Sequence, residues 1–236
     1  MEIYRKEIKV LSSYCDYNRR LRLSELLKFT QEASIEHTTL MGMGREKTLD
    51  KGLLWIISKQ HYEISSVPKY DDSIELLSHA GETRFILLPR HYEIDSKSTG
   101  EALVKGSAIW GLIDKESRQP ILPLEHGIEI IPCVMGNEVD IPLSIKVPQL
   151  EKEAEIEAKY SLCDLNGHLN NATYIDLVMD LIPMDYLDKH EPKTLDIVYK
   201  KEIRLGEKVT LSYGERDNSW YFFCPRFTIR IEFREI

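Results

Sequence analysis

An α+β fold with internal pseudo-twofold symmetry is predicted by three features of this 236-residue chain. A polar skeleton occurs twice, as Cys15-Asp16-Tyr17-Asn18-Arg19-Arg20-Leu21 and as Cys163-Asp164-Leu165-Asn166-Gly167-His168-Leu169, with Cys, Asp, Asn and Leu at matching offsets 148 positions apart. Each copy leads into an apolar run of helical spacing, and each run gives way to strand-like segments divided by turn signals. A helix this apolar needs a face to bury against, and a curved antiparallel sheet wrapped round it supplies one. Two such units can pair their sheets edge to edge, so that neither inner edge is left open to aggregation.

The elements follow in chain order. Alternation from Ile3 to Leu11 reads as a strand, and after the Asp16 turn Leu23, Leu26, Leu27, Thr30, Ala33 and Ile35 suit an amphipathic helix ended by Gly42 and Gly44. Strands are expected over Leu53–Ile64, Ser73–Ala80, Thr83–Ile94 and Ala102–Ile113, divided by Pro68–Asp72, Gly81-Glu82 and Asp95–Gly100. Pro132, Gly136, Pro142 and Pro148 mark Ile131–Glu151 as a connector, which sets an N-terminal module at 1–132, a linker at 133–150 and a C-terminal module at 151–236. The second module repeats the order. A strand over Ala154–Tyr160 precedes the polar turn, a helix from Asn171 to Leu187 follows, and strands are expected at Lys193–Ile203, Val209–Gly214, Ser219–Pro225 and Phe227–Phe233.

The composition is that of an ordinary globular chain, 42% hydrophobic and 30% charged. No apolar run approaches the roughly 20 residues that span a bilayer, and the charged start Met1–Glu7 does not resemble a secretory signal. Cys15, Cys133, Cys163 and Cys224 stand far apart with no Cys-x-x-Cys spacing, which argues against a zinc site or a disulfide framework and favours the reducing cytoplasm. A net charge of −8 makes nucleic acid a poor partner. Two local basic clusters remain, Arg19, Arg20 and Arg22, then Lys200, Lys201 and Arg204, although most such clusters are simply solvated faces.

The second polar turn is the candidate site. A loop feeding a helix N-terminus can gather an acid/base pair beside N–H groups that stabilise negative charge, here at Asn170 and Asn171. Blander readings stand beside this one. Asp164 alone reads as a turn residue, and Asp16 shows that part of the motif is structural, since its copy has Arg20 where the second has His168. His168 could be a satisfied surface histidine, and Glu202 could simply pair with Lys200 or Arg204. A calcium loop fails, because Leu169 and Ile175 occupy the positions that need Gly and Glu. Cys163 and its twin Cys15 read as buried thiols, and Trp55, Trp110 and Trp220 read as core.

These residues resemble the acyl-acyl-carrier-protein thioesterase family, which has a double hotdog fold. In the first half the resemblance rests on Asp16-x-Asn18, the Leu-rich helix, Trp55, Phe85-x-x-x-x-Arg90, Trp110-Gly111-Leu112-Ile113-Asp114 and Arg118-x-Pro120. In the second half it rests on Asp164-x-Asn166-x-His168-x-Asn170-Asn171 and on Tyr199-Lys200-Lys201-Glu202-Ile203. The plant members have Cys where this chain has Ile203, which fits a mechanism run by carboxylates and water. The resemblance implies hydrolysis of fatty acyl thioesters on acyl carrier protein, without metal or organic cofactor, with an acyl tunnel in the N-terminal module. It carries Asp164, Asn166, His168 and Glu202 over as the site. Glu202 is expected to deprotonate water with His168 sharing the role, Asn166 to position carbonyl or water, and Asp164 to fix the turn; which carboxylate is the base stays open. The acidic carrier is expected to dock on the two basic clusters. An acyl-CoA hydrolase, a dehydratase of the same fold and a non-catalytic acyl-binding module are the rivals, and an outer sheet edge makes a homodimer plausible.

Overall fold

A computed structural model describes residues 3–136, 138–141 and 144–236. In the N-terminal module, β1 (Ile3–Lys9), α1 (Leu23–Leu40), β2 (Leu53–Ile64), β3 (Ser73–Ala80), β4 (Leu88–Ser96) and β5 (Ala102–Asp114) follow one another. The C-terminal module contains β6 (Lys152–Glu157), two short helices, α2 (Tyr174–Met179) and α3 (Met184–Leu187), then β7 (His190–Tyr199), β8 (Lys208–Arg216), β9 (Ser219–Cys224) and β10 (Phe227–Glu235). Among the described residues the ten strands form one sheet in the order β1-β3-β4-β5-β2-β7-β10-β9-β8-β6. The modules join where β2 pairs antiparallel with β7, His61 opposite Asp196. The edge-to-edge pairing expected from the sequence is thus present, and the open edges are β1 and β6. Among the described residues no helix is long and apolar enough to cross a membrane.

The buried face of α1, Leu23, Leu26, Leu27, Thr30, Ala33 and His37, recurs at three- and four-residue intervals and lies against the concave sheet. Ile35 falls off that stripe and is 47% exposed. Packing is close where the sheet meets its own side chains. A Cβ on Gly106 in β5 would lie 2.4 Å from the ring of Tyr62, which has no exposure, so only glycine lets β5 pass there. In β2 the register with β5 shifts between Ile57 and Lys59, leaving Ser58 as the extra residue of a bulge at the centre of the molecule.

Several expected boundaries move. Strand β4 starts at Leu88 rather than Thr83, because Arg84 and Leu87 exchange both backbone hydrogen bonds around a tight turn with Phe85 at φ 58°. The continuous helix over Asn171–Leu187 is replaced by α2 and α3. Asn170 Oδ1 accepts the Ala172 N–H at 2.9 Å, an Asx turn that delays the helix to Tyr174, and Pro183 separates the two pieces. Strand β7 stops at Tyr199, short of Ile203, because its partner β10 begins at Phe227 just after the Pro225-Arg226 turn and has no earlier residue to pair with. Of the connector signals, Pro142 lies outside the described residues, as do Met1 and Glu2 at the chain start. The described part of the connector docks on the outer face of the first module, where Cys133 O meets His79 Nδ1 at 2.6 Å and Val139 O accepts from Ser107 Oγ at 2.6 Å.

Candidate functional site

The two polar turns are built alike. Asp16 N donates to Arg20 O at 2.8 Å and Asp164 N to His168 O at 2.7 Å, while each aspartate Oδ1 accepts the returning N–H, from Arg20 at 2.8 Å and from His168 at 3.2 Å. Asp164 Oδ1 also accepts the Asn166 N–H at 2.8 Å. The bend requires a left-handed residue, supplied by Gly167 (φ 72°) in the second copy and by Arg19 (φ 62°) in the first. Leu21 N reaches Pro68 O at 2.7 Å and Leu169 N reaches Ile203 O at 2.8 Å, which makes Val67 the counterpart of Glu202.

Equivalence of backbone sets off the difference in chemistry. In the first copy Val67 is 5% exposed and Arg20 7%. The Arg20 guanidinium leaves its own module, donating to His190 O at 2.7 Å and Leu187 O at 2.9 Å. In the second copy His168 Nε2 lies 3.4 Å from Glu202 Oε2, with side chains 17% and 42% exposed. Expecting Arg20 on a docking surface is therefore wrong: burial between modules consumes its hydrogen bonds. Arg22 donates to Ser13 O and Glu25, whereas Arg19 is exposed.

Glu202 sits on no strand. Beyond Tyr199 the amides of Lys200 and Lys201 both donate to Arg226 O, at 2.8 and 3.0 Å, and Arg226 Nη1 donates to Glu202 O at 2.8 Å. This turn swings Glu202 toward His168. Its carboxylate pairs with neither Lys200 nor Arg204 but with Arg118, from the turn after β5.

These groups surround an open cavity of about 1010 Å³ that crosses the module boundary. Asp164, Asn166, His168 and Asn171 line one side, Trp55 to Ser58 of β2 another, and the rim carries Arg118, Lys200, Lys201, Arg204 and Arg226 against the carboxylates Asp164, Glu202 and Glu207. Five cations facing three carboxylates give the mouth a positive balance in a protein of net charge −8. Asn170 does not reach this lining, and its capping of Ala172 and Thr173 leaves those two N–H groups unavailable to a ligand. The six-residue α2 does not provide the helix N-terminus expected at Asn171. Asn171 instead lines the cavity while its carbonyl accepts from Tyr199 OH at 2.8 Å. Burial pushes the Tyr199 phenol well above its ordinary range, so it serves as a neutral donor.

No cysteine lines the cavity among the described residues. Burial raises the Cys163 thiol, and Ile203 is 1% exposed in the core, so a side chain after Glu202 points away from the site. No cluster of three or more His, Cys, Asp or Glu is arranged to hold a metal among the described residues. A second, apolar cavity of about 200 Å³ lies in the N-terminal module between α1 and the sheet, lined by Ser34, Thr38, Leu88, Trp110 and Ile130. Trp55 borders both cavities, packed edge-on against Trp110 at 6.5 Å. Sequence reasoning gave Arg226 no role; nothing local marks a residue that acts by holding a backbone carbonyl.

The model described as the acyl-ACP thioesterase N-terminal domain matches residues 1–127, and that of the acyl-ACP thioesterase C-terminal domain matches residues 145–232. A chloroplastic acyl-[acyl-carrier-protein] hydrolase of Cuphea viscosissima is 23% identical over 214 residues, 85% of this chain and 52% of the relative. A chloroplastic oleoyl-acyl carrier protein thioesterase of Arabidopsis thaliana is 23% identical over 234 residues, 91% and 64% of the two chains. The chain thus spans about half to two-thirds of the length of the curated relatives it matches. Among solved structures, an acyl-ACP thioesterase from Bacteroides thetaiotaomicron superposes with a TM-score of 0.90 at 21% identity, covering 98% of each chain. The 12:0-ACP thioesterase from Umbellularia californica superposes at 0.85 with 16% identity, covering 99% of this chain and 98% of that one. The architecture is therefore the double hotdog.

Proposed function

The chain belongs to the acyl-ACP thioesterase family, and on that premise we propose that it hydrolyses a fatty acyl thioester on acyl carrier protein, releasing free fatty acid and holo-carrier. The observation that carries this reading is the Glu202–His168 pair, 3.4 Å apart on the wall of a positively rimmed cavity beside an apolar pocket. The acyl chain would enter the N-terminal module past Trp55, and the thioester carbonyl would rest between Glu202 and Asn166. Glu202, with His168 against its second oxygen, takes a proton from water as the oxygen attacks the carbonyl carbon. The tetrahedral intermediate collapses, the C–S bond breaks, and the same proton passes to the departing sulfur. General-base help of this kind is worth about 10²- to 10⁴-fold. Asp164 acts through the backbone, holding Asn166 and His168 in the turn.

The buried Ile203 supports water rather than a thiol as the attacking group. Lys200, Lys201 and Arg204, exposed at the cavity mouth, suit the acidic carrier; Arg19 stands apart from them. The four free cysteines suit a reducing cytoplasm. A second copy of the chain would add at β1 or β6, where Arg5, Lys6, Glu7 and Lys9 on one edge and Lys152, Glu153, Glu155 and Glu157 on the other discourage pairing.

The test is thiol release by purified protein from acyl-carrier, with acyl-CoA alongside. Wild type should turn over acyl-carrier with the higher kcat/KM, and Glu202→Gln and His168→Ala should each lower kcat by at least about 10². Release no faster than background, with acyl ligand still bound, would make the protein an acyl-binding module instead.

A further inference from the structure

We infer that Arg118, contributed by the N-terminal module, is the positioning residue that holds the Glu202 carboxylate in register with His168, so that the reacting pair is completed only across the module boundary. This rests on the thioesterase reading and assigns a role to a residue that the sequence marked only by resemblance. The first observation is what Glu202 lacks. Among the described residues its carboxylate accepts a hydrogen bond from Arg118 Nη2 alone, while His168 Nε2 stands at 3.4 Å, beyond good hydrogen-bond length. The backbone of Glu202 is fixed by Arg226 and by the neighbouring Leu169-to-Ile203 bond, but its side chain is 42% exposed. Arg118 is thus the one hydrogen-bond donor, among the described residues, that holds this half-exposed carboxylate beside His168.

The second observation is how firmly Arg118 itself is aimed. Its turn is closed by Asp114 N to Gln119 O at 2.9 Å and Arg118 N to Asp114 O at 3.0 Å, and Ile113 bridges Pro120. Asp114 Oδ1 collects the Glu116 N–H, the Ser117 N–H and the Ser117 hydroxyl, at 3.1, 2.7 and 2.8 Å. Inside this frame Arg118 takes φ 60°, a left-handed conformation that residues with side chains rarely adopt. Arg19 and Phe85 take the same conformation in other turns, but among these three only Arg118 lines the cavity. Arg118 Nη2 engages Oε1 and leaves Oε2 facing the imidazole, a charge-assisted bond that fixes which oxygen meets His168.

An exposed ion pair contributes little to stability, so the effect is read in kcat. The substrate is a short acyl-N-acetylcysteamine thioester, which has no carrier and so removes docking from the measurement. Arg118→Gln should lower kcat about tenfold to a hundredfold, the cost of a small misplacement of a reacting group, with KM within twofold. Arg118→Lys should restore part of the rate. In a Glu202→Gln background, Arg118→Gln should add nothing, since its effect acts through Glu202. The His168 ring resonances should move in Arg118→Gln and stay near wild type in Arg118→Lys. A kcat within twofold of wild type with unmoved ring signals would overturn the inference. So would a loss of equal size in the Glu202→Gln background. If wild type releases no thiol, the thioesterase reading falls, and the ring signals still decide whether Arg118 orders the Glu202–His168 pair.

Discussion

Replacing Arg20 by Met should destabilise the fold and leave catalysis intact. The side chain is buried at 7% exposure, and its guanidinium bonds the carbonyls of His190 and Leu187 at 2.7 and 2.9 Å across the module boundary. Methionine keeps most of the apolar stem, so the loss is confined to the hydrogen bonds. Leaving two carbonyls without their donor costs about 1–3 kcal/mol each, or about 2–6 together. Buried methionine loses about as much rotamer freedom as arginine, so side-chain entropy offsets little of this, and a net loss of about 2–6 kcal/mol is expected. At about 2–4 °C per kcal/mol for a chain of this size, Tm should fall by about 4–24 °C in a calorimetric or fluorescence melt. Arg20 does not line the cavity, so KM for acyl-carrier should stay within twofold of wild type. An unchanged Tm together with a raised KM would refute the reasoning and return Arg20 to the docking surface.

Charge reversal of Lys200 and Lys201 should raise KM for acyl-carrier several-fold more than for a short thioester mimic, with the difference shrinking at high salt; equal effects would remove the docking role. Gly106→Ala should cost about 1–3 kcal/mol in a urea melt, because the new methyl meets the immovable Tyr62 ring; a neutral result would mean the core relaxes there. Burial, then the neighbouring His79, lowers His91 from 6.5 to about 4. The unfolded chain therefore binds the extra proton first, so this residue's contribution is full above about 6.5 and fades as pH falls toward about 4. Asp95, raised from 3.8 to about 6, works in the opposite sense, so the contribution is read as the difference between wild type and His91→Gln. That difference should shrink on acidification across the window, and a pH-independent difference would refute it.

Much of this molecule was legible in local pattern. The duplicated polar turn, α1 and most strands follow from periodicity and turn chemistry, because burial on one face writes a 3.6 or a 2.0 period into neighbouring residues. The split of the second helix was also written locally, in Asn170 and Pro183, but the apolar spacing of Ala172–Leu187 outweighed those signals in the reading. Other features had no local signature. Glu202 leaves β7 only because a different strand, β10, has turned away at Pro225-Arg226, and Arg118 reaches it from 84 positions distant. Arg20 and Lys200 look equally basic in sequence, yet one is buried under His190 and the other is open to solvent. Residue type and spacing set which elements form. Which charges are buried, and which carboxylate meets the imidazole, depend on contacts between distant segments whose free energy exists only once both modules share one sheet.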